Sequence, residues 1–474
     1  MQRAKGSITI FSLLSLLLIT AALFALLEGT RLQEIRRLAD LQTVNALESA
    51  FAGYNTCLWE KYHILGTQHD KLEQQVKSVA NGRIGKGANF LQMKLSEMKI
   101  TELERLTDAK GRVFIRSAAT YMKDNWVYEA AKEIYSQYEA IKHLMEDSSL
   151  DENDIGDALQ EVEDAKNSSE KTASRARSSV IDVEEILKEA KGWQEQGILN
   201  LLIKDTGGLS DSKQDFSDGL CKRKLQKGTN AVEEITWQER LLFQQYLMTY
   251  MSNFHSTKEN HALFYEAEYL LGGKESDIEN LKVVVWELLA IREVINFTFL
   301  VSNPQKQAQV EVASMLVAGA TLNPMAVNVI KAGIMAAWAL GESILDVRAL
   351  MAGKRIPLLK SEDTWTTELE KLNEIASGEA MAKEAKWGLG YEEYLTVLLL
   401  MAKEEDVAMR AMNAQEATIR TIYKDKSFRM DTLLAKVNME AVYSYQPIFP
   451  FLQVIDAEER WEYKALGNAA YGYY

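Results

Sequence analysis

The feature that most constrains this chain is an uncharged run of 21 residues, Ser7 to Leu27, close behind a basic tail (Arg3, Lys5). At the helical rise of 1.5 Å per residue the run reaches roughly 31 Å, the thickness of one bilayer core. The helical pattern continues past the far interface. Leu32, Ile35, Leu38, Leu41, Val44, Leu47, Phe51, Tyr54 and Leu58 recur at spacings of three and four, with no proline among them. A membrane helix that runs on as an amphipathic stem is an architectural element, and it ties the rest of the chain to a membrane.

The remaining bulk properties narrow the class. The net charge of −14 and the lack of a clustered basic face with interleaved aromatics argue against a nucleic-acid partner. Outside the apolar run the composition is that of a protein able to bury a core. Only five prolines occur, the first at Pro304. Because proline is the strongest helix breaker, the expected fold is mainly α, of the α+β kind, with minor β-elements. Cys57 and Cys221 could form one disulfide in an exported protein or remain as buried free thiols.

The N-terminus does not read as an ordinary cleaved signal peptide. Its apolar run exceeds the usual length of about 7–15 residues, and no small-x-small site closes it. Lys5-Gly6-Ser7 stands directly before the run. The segment KGSITIFSLLSLLLITAALFALLEGTR resembles the N-termini of TadE/TadG-like proteins, minor pilin-like components of tight-adherence (Tad, type IVc) pili. The resemblance implies cleavage between Gly6 and Ser7 and a retained hydrophobic helix that serves as the assembly core. Phe11 stands where pilin-like helices usually carry a glutamate, and the nearest acid is Glu28. A longer likeness runs through LLEGTRLQEIRRLADLQTVNALESAFAGYNTCLWEKYHILG, HALFYEAEYLLGGKESDIENL, WELLAIREVINFTFL and AAWALGESILDVRALMAGKRIPLLKSEDTW. These strings look like an uncharacterised family of clostridial membrane proteins associated with Tad-pilus loci.

Along the chain the expected organisation is a basic tail or leader at 1–6, a transmembrane helix at 7–27 and an amphipathic stem at 28–63. A small mixed α/β segment comes next at 64–125, with a strand near Lys94–Leu106, the turn signal Asp108-Ala-Lys-Gly111, and a helix through Met122. Residues 126–200 read as a helical hairpin, Tyr128–Met145 followed by Asp154 towards Trp193. The glycine- and serine-rich stretch 201–235 is expected as a loop or linker. A helical core occupies 236–438, with helices at Thr236–Phe254 and Ser276–Val301, a strand plus turn in LFYEAEYLLGGK between them, and buried helices over Val310–Met351, for which a membrane hairpin is the alternative. The aromatic-rich end, 439–474, is expected as a terminal β-element.

Chemical motifs are sparse. The histidines (His63, His69, His143, His255, His261) lack the i,i+4 spacing that sets two imidazoles on one helix face, and no HExxH or CxxC occurs. GRIGKG lacks the phosphate-loop spacing and its terminal Ser/Thr, no GxSxG elbow is present, and the acids of SLDENDIGDALQEVEDAK do not complete a calcium loop. The chain is therefore expected to be no enzyme and to hold no metal or cofactor. One pattern stands out. Ala21, Ala25 and Gly29 recur every four residues on one face, the spacing that lets helix backbones approach closely in lipid, and Leu32 and Ile35 extend that stripe beyond the membrane.

The reading is a single-pass, membrane-anchored extracytoplasmic protein. Given the resemblance, it serves a Tad-type pilus or secretion system as a structural or accessory subunit and meets the other subunits through its N-terminal helix. A short basic tail stays on the cytoplasmic side, which puts the bulk outside. The alternatives are a surface-displayed binding module and an extracytoplasmic enzyme of unrecognised type.

Overall fold

In the computed structural model a single helix, α1 (Ala4–Phe51), joins the apolar run to the stem without a break. The structure describes residues 4–84, 91–123, 128–147, 198–203, 206–318, 324–377, 380–448 and 461–472. The fold is mostly helical with a small antiparallel sheet. It divides into two compact units, one from residues 1–121, 224–234 and 427–474, the other from 122–223 and 235–426.

The first unit is built on α1. Its first half is exposed and is long and apolar enough to cross a membrane by length and composition. Its second half packs Ile35, Ala39, Leu47 and Ala50 into a core with the sheet. The stem ends at Phe51 instead of near Tyr62-His63. Asn55 starts a separate short helix, α2 (Thr56–Tyr62), by accepting the Leu58 N–H at 2.8 Å, and His63 closes it in a left-handed conformation (φ 52°). Then come β1 (Thr67–Gln68), α3 (His69–Ile84), β2 (Met93–Arg105) and α4 (Asp108–Lys123). The glycine-rich connector Asn81–Asn89 is thus helical to Ile84, and its remainder lies outside the described residues. The turn signal holds: Ala109, Lys110 and Gly111 all have positive φ, and the right-handed helix begins after them.

The sheet is completed from the far end of the chain by β3 (Leu433–Tyr445) and β4 (Glu462–Ala470). β3 is central, with β2 antiparallel on one side and β4 on the other. Alternation gives it two faces. Val437, Met439, Ala441 and Tyr443 face α1, whereas Asn438 and Glu440 pair with Glu102 and Lys464 on the open face. In β2 the loose periodicity of Leu95, Met98, Ile100 and Leu103 has a physical cause. Register shifts at Leu95/Glu97 and Ile100/Glu102 insert a residue each time and return the apolar side chains to the α1 face. On β4 the inward residues after Tyr463 are small (Ala465, Gly467 and Ala469), and a Cβ on Gly467 would stand 2.7 Å from the Leu47 side chain and 2.8 Å from that of Thr43. That glycine sets how closely the stem lies on the strand.

The second unit is helical. Helix α5 (Tyr128–Asp147) forms as the periodicity predicts, while the second arm of the expected hairpin, from Asp154 towards Trp193, lies outside the described residues. After α6 (Ile198–Leu202) come α7 (Trp237–Tyr250), α8 (Glu266–Gly272), α9 (Asp277–Ser302), α10 (Pro304–Ala318), α11 (Pro324–Met351), α12 (Tyr391–Met401) and α13 (Glu404–Ile422). α7 opens on a capping box between Thr236 and Glu239. The strand expected in LFYEAEYLLGGK is instead α8. Its glycine pair is a helix stop, with Gly273 left-handed at φ 63°, and its acids are buried on internal partners. From Ile334 to Met351 α11 is almost wholly buried, as expected for the core. Two boundaries move. The expected core 236–438 ends at 426, because Leu433–Asn438 pair with β2 across more than 300 residues of sequence. The linker 201–235 is shared, and its residues Gly228 and Thr229 bond to Asp108 and Leu103 of the first unit.

Candidate functional site

At the outer end of the apolar run a buried clamp joins α1 to the sheet. Arg31 and Glu28, one helical turn apart, are almost wholly buried and meet at 2.5 Å. The Arg31 guanidinium also donates to the Leu91 carbonyl at 2.5 Å and the Gln446 carbonyl at 2.6 Å. Leu91 precedes β2 and Gln446 follows β3, so one side chain holds the ends of two strands nearest the apolar run against the helix. The planar fork of arginine suits such divergent acceptors.

The assembly residues named from sequence separate at this clamp. Gly6 and Ser7 lie in the first turns of α1. Ala21, Ala25 and Gly29 are exposed, and a Cβ on Gly29 would meet nothing within 4 Å. Leu32 and Ile35 do not extend their stripe. Ile35 is fully buried in the unit's own core and Leu32 packs against it, so neither is free to meet another subunit. Helical periodicity identifies an apolar face but cannot tell which protein covers it. Cys57 and Cys221 are both free thiols in the structure, Cys57 half-buried and Cys221 exposed, so they are neither paired nor the buried thiols of the other alternative.

The chemically richest region is a charge cluster inside the second unit. Arg292 and Asn296 on α9 face Glu342, Ser343 and Asp346 on α11, and Lys360 reaches in from the following segment. All six are fully buried or nearly so. Asp346 accepts from Arg292 Nη2 at 2.8 Å, Asn296 at 3.0 Å and Lys360 Nζ at 2.7 Å. Glu342 accepts from Lys360 Nζ at 2.6 Å and from the Thr366 and Thr367 amides. Arg292 Nη1 donates to Tyr394 Oη and the carbonyls of Pro357 and Leu358, and its Nε adds a second bond to Asp346 at 3.0 Å. Two cations and two anions balance. Burial works against the charged guanidinium of Arg292, yet Asp346 holds it further above its ordinary range. The arrangement fastens the 357–367 segment to the α9–α11 pair.

A second buried polar group lies around α8. His261 Nδ1 meets Glu266 Oε2 at 2.5 Å, and Glu268 accepts from Tyr391 Oη at 2.6 Å and the Phe254 amide at 2.9 Å. Burial pushes the Glu268 carboxyl up to about 7. Such a group can exchange a proton near neutrality, but it is fully buried, so a substrate atom has no approach to it. Among the described residues no group of three or more His, Cys, Asp or Glu is placed to hold a metal. A cavity of about 560 Å³ in the first unit is lined by Glu48, Phe51, Tyr54, Leu65, Lys436 and Tyr471. It holds no nucleophile beside a base, and Lys436 pairs with Glu104 at 3.4 Å.

Sequence reasoning passed over both buried clusters. A usable signal was present: Arg292/Asn296 and Glu342/Asp346 each stand four apart inside otherwise apolar helices. Charges at that spacing share a buried face and must find partners.

No curated protein and no solved structure matches the chain. A family match covers residues 177–445, more than half the sequence, and on it the chain belongs to DUF5702, a family of unknown function.

Proposed function

We propose that the chain is a membrane-anchored, extracytoplasmic structural or accessory subunit of a Tad-type pilus or secretion assembly, built in the manner of a pseudopilin. The observation that supports this reading most is the division of α1. One continuous helix offers a bare apolar half to lipid and commits its other half to a folded unit. The clamp of Glu28 and Arg31 marks the border between the halves. A helix built this way transmits position from the membrane to the domain, which an enzyme tether has no need to do. The Tad context rests on the N-terminal resemblance, and processing between Gly6 and Ser7 belongs to the same reading. The partners are other subunits of the assembly, met through the small-residue face of α1.

In lipid, association has to come from van der Waals packing, so the contact uses Ala21, Ala25 and Gly29 and ends there. Gly29→Leu or Ala25→Leu removes close approach while preserving insertion, because leucine is at least as apolar. Gly29→Ala keeps a small side chain and serves as the control. Crosslinking in native membranes before detergent extraction is expected to capture a partner for the wild type and Gly29→Ala and to lose it for both leucine variants. Equal capture in all four refutes the assembly role of this face.

A further inference from the structure

The two edges of the sheet in the first unit differ. On the β2 side, register shifts at Leu95/Glu97, Ile100/Glu102 and Glu104/Arg105 break up the strand, and Thr229 bonds both the amide and the carbonyl of Leu103. Bulges and covering loops of this kind keep a further strand from adding. β4 has neither, and its pairing with β3 runs from Glu462 to Ala470 without a shift. The Tyr445 amide donates to the Trp461 carbonyl and the Tyr471 amide to the Ala435 carbonyl, so the odd-numbered residues of β4 turn their backbone groups to β3. Glu462, Lys464, Leu466, Asn468 and Ala470 therefore turn five amides and five carbonyls outward. All five residues are exposed, Leu466 to 72%, and no hydrogen bond among the described residues uses this outer row. The cavity of about 560 Å³ lies at the end of the same strand, where Ala469, Ala470 and Tyr471 meet Phe51, Tyr54 and Leu65. Lys436 at this cavity is held by Glu104, whereas Glu48 is exposed and pairs with no cation among the described residues.

We infer that the outer edge of β4 is the docking site of an extended peptide segment from another protein, which adds to the sheet as a strand and lays a lysine or arginine into the cavity against Glu48. The unpaired row itself specifies the form of the occupant. Amides and carbonyls presented by every second residue of a strand are met in full only by another extended backbone. The cavity selects a side chain: Phe51 and Leu65 suit the alkyl stem of a basic residue, and Glu48 its charge. A strand added at this edge leaves the open face of the sheet uncovered. A second copy of the chain fits the edge badly. α1 lies along β4 in the same direction, with Asp40 on Tyr463 at 3.0 Å and, further on, Phe51 on Tyr471 at 2.7 Å. Two-fold pairing of β4 with β4 sets the strands antiparallel, so the two apolar runs would leave from opposite ends of the sheet, which one bilayer does not accommodate. The other edge that a copy could offer is the bulged and covered β2. This exclusion of self-pairing rests on the proposed anchoring; the free edge and the cavity do not.

The test uses the full chain in detergent micelles. Peptides of nine residues, the length of β4, are selected from a random display library against the wild type, with Leu466→Pro as the counter-selection target. That substitution removes one outward amide and leaves the pairing with β3 in place. The selected peptides are expected to carry a lysine or arginine at a fixed position, and to lose about tenfold in affinity with Glu48→Gln and about as much with Leu466→Pro. N-methylation of the peptide supplies a readout that leaves the protein untouched. Methyl groups on alternate amides of one parity should abolish binding, and those on the other parity should leave it unchanged. Loss at both parities or at neither overturns the inference, as does a library that yields no peptide able to distinguish the wild type from Leu466→Pro. Affinity indifferent to Glu48→Gln overturns the assignment of the cavity to a basic side chain. Molar mass is measured in the same micelles, and a wild-type dimer that Leu466→Pro converts to a monomer assigns the edge to a second copy and overturns the inference as well. Peptide binding in micelles does not require α1 to cross a bilayer, so the anchor and the docking edge fail separately.

Discussion

Removing Lys360 should be one of the most destabilising single changes in the second unit. Its ammonium lies 2.6 Å from Glu342 and 2.7 Å from Asp346, and none of the three side chains reaches solvent. At an effective dielectric of about 20 each contact corresponds to roughly 6 kcal/mol of Coulomb attraction, most of it offset by the cost of desolvating the charges. Lys360→Met keeps the length and the apolar stem but leaves two carboxylates facing Arg292 alone. Breaking a buried pair from one side costs about 3–5 kcal/mol, a large part of the roughly 5–15 kcal/mol that holds a domain together. The unpaired carboxylate binds a proton more readily in the folded unit than in the unfolded chain, so the deficit should shrink as the pH falls. Lys360→Met combined with Glu342→Gln restores charge balance, and the amide oxygen of the new side chain can still accept the Thr366 and Thr367 amides. The double variant should therefore recover much of the loss. The assay is denaturant unfolding of the detergent-solubilised protein at pH 5 and pH 8, read by near-UV circular dichroism. Trp338 and Trp365, with ring centroids 5.7 Å apart beside the 357–367 segment, are the reporters. A single variant within about 1 kcal/mol of wild type, or a double variant no better than the single, refutes the network as the fastener of this segment.

Glu268 gives a pH prediction with a definite sign. Burial raises its carboxyl from 4.5 to about 7, so the folded unit holds a proton that the unfolded chain releases. The contribution is full below about pH 4.5 and falls as the pH rises through about 7, by about 3 kcal/mol in all. Glu268→Gln should flatten that part of the stability profile, leaving a weaker slope of the same sign from Asp277, whose carboxyl is also raised by burial. An unchanged profile in the variant assigns the slope elsewhere. In the first unit, Arg31→Met strands Glu28 and frees the Leu91 and Gln446 carbonyls. Hydrogen exchange should accelerate at the Met93 end of β2 and the Tyr445 end of β3 while the Arg105–Leu434 end stays protected, and uniform exchange along both strands contradicts the clamp.

Local signals carried far in this sequence. The long apolar helix, the strand at Met93–Arg105, the turn at Asp108–Gly111 and helices α5, α7, α9 and α11 follow from periodicity, capping residues and proline placement. Long-range pairing was the blind spot. Nothing local reveals that Leu433–Tyr445 fills the sheet between β2 and β4, or that Gly228 must lack a side chain because a Cβ would collide with Asp108 Oδ2. The segment LFYEAEYLLGG shows a second limit. Its aromatics suit a strand, but Glu266 and Glu268 have buried partners at His261 and Tyr391, and these favour one turn-rich helix over extended backbone. Of the residues on the expected stripe, Ala21, Ala25 and Gly29 stand exposed, while Ile35 serves the unit's own core for a reason the helical spacing alone does not reveal.

The central claim is that α1 spans a membrane and carries both units on its outer side. Single cysteines at two exposed positions, Asn468→Cys in the first unit and Trp387→Cys in the second, test it on a background with Cys57 and Cys221 replaced by serine. A membrane-impermeant maleimide is added to intact, wall-stripped cells before and after permeabilisation. The account predicts full modification of both cysteines in intact cells, with no gain on permeabilisation. Modification that appears only after permeabilisation would place the folded units in the cytoplasm and contradict it.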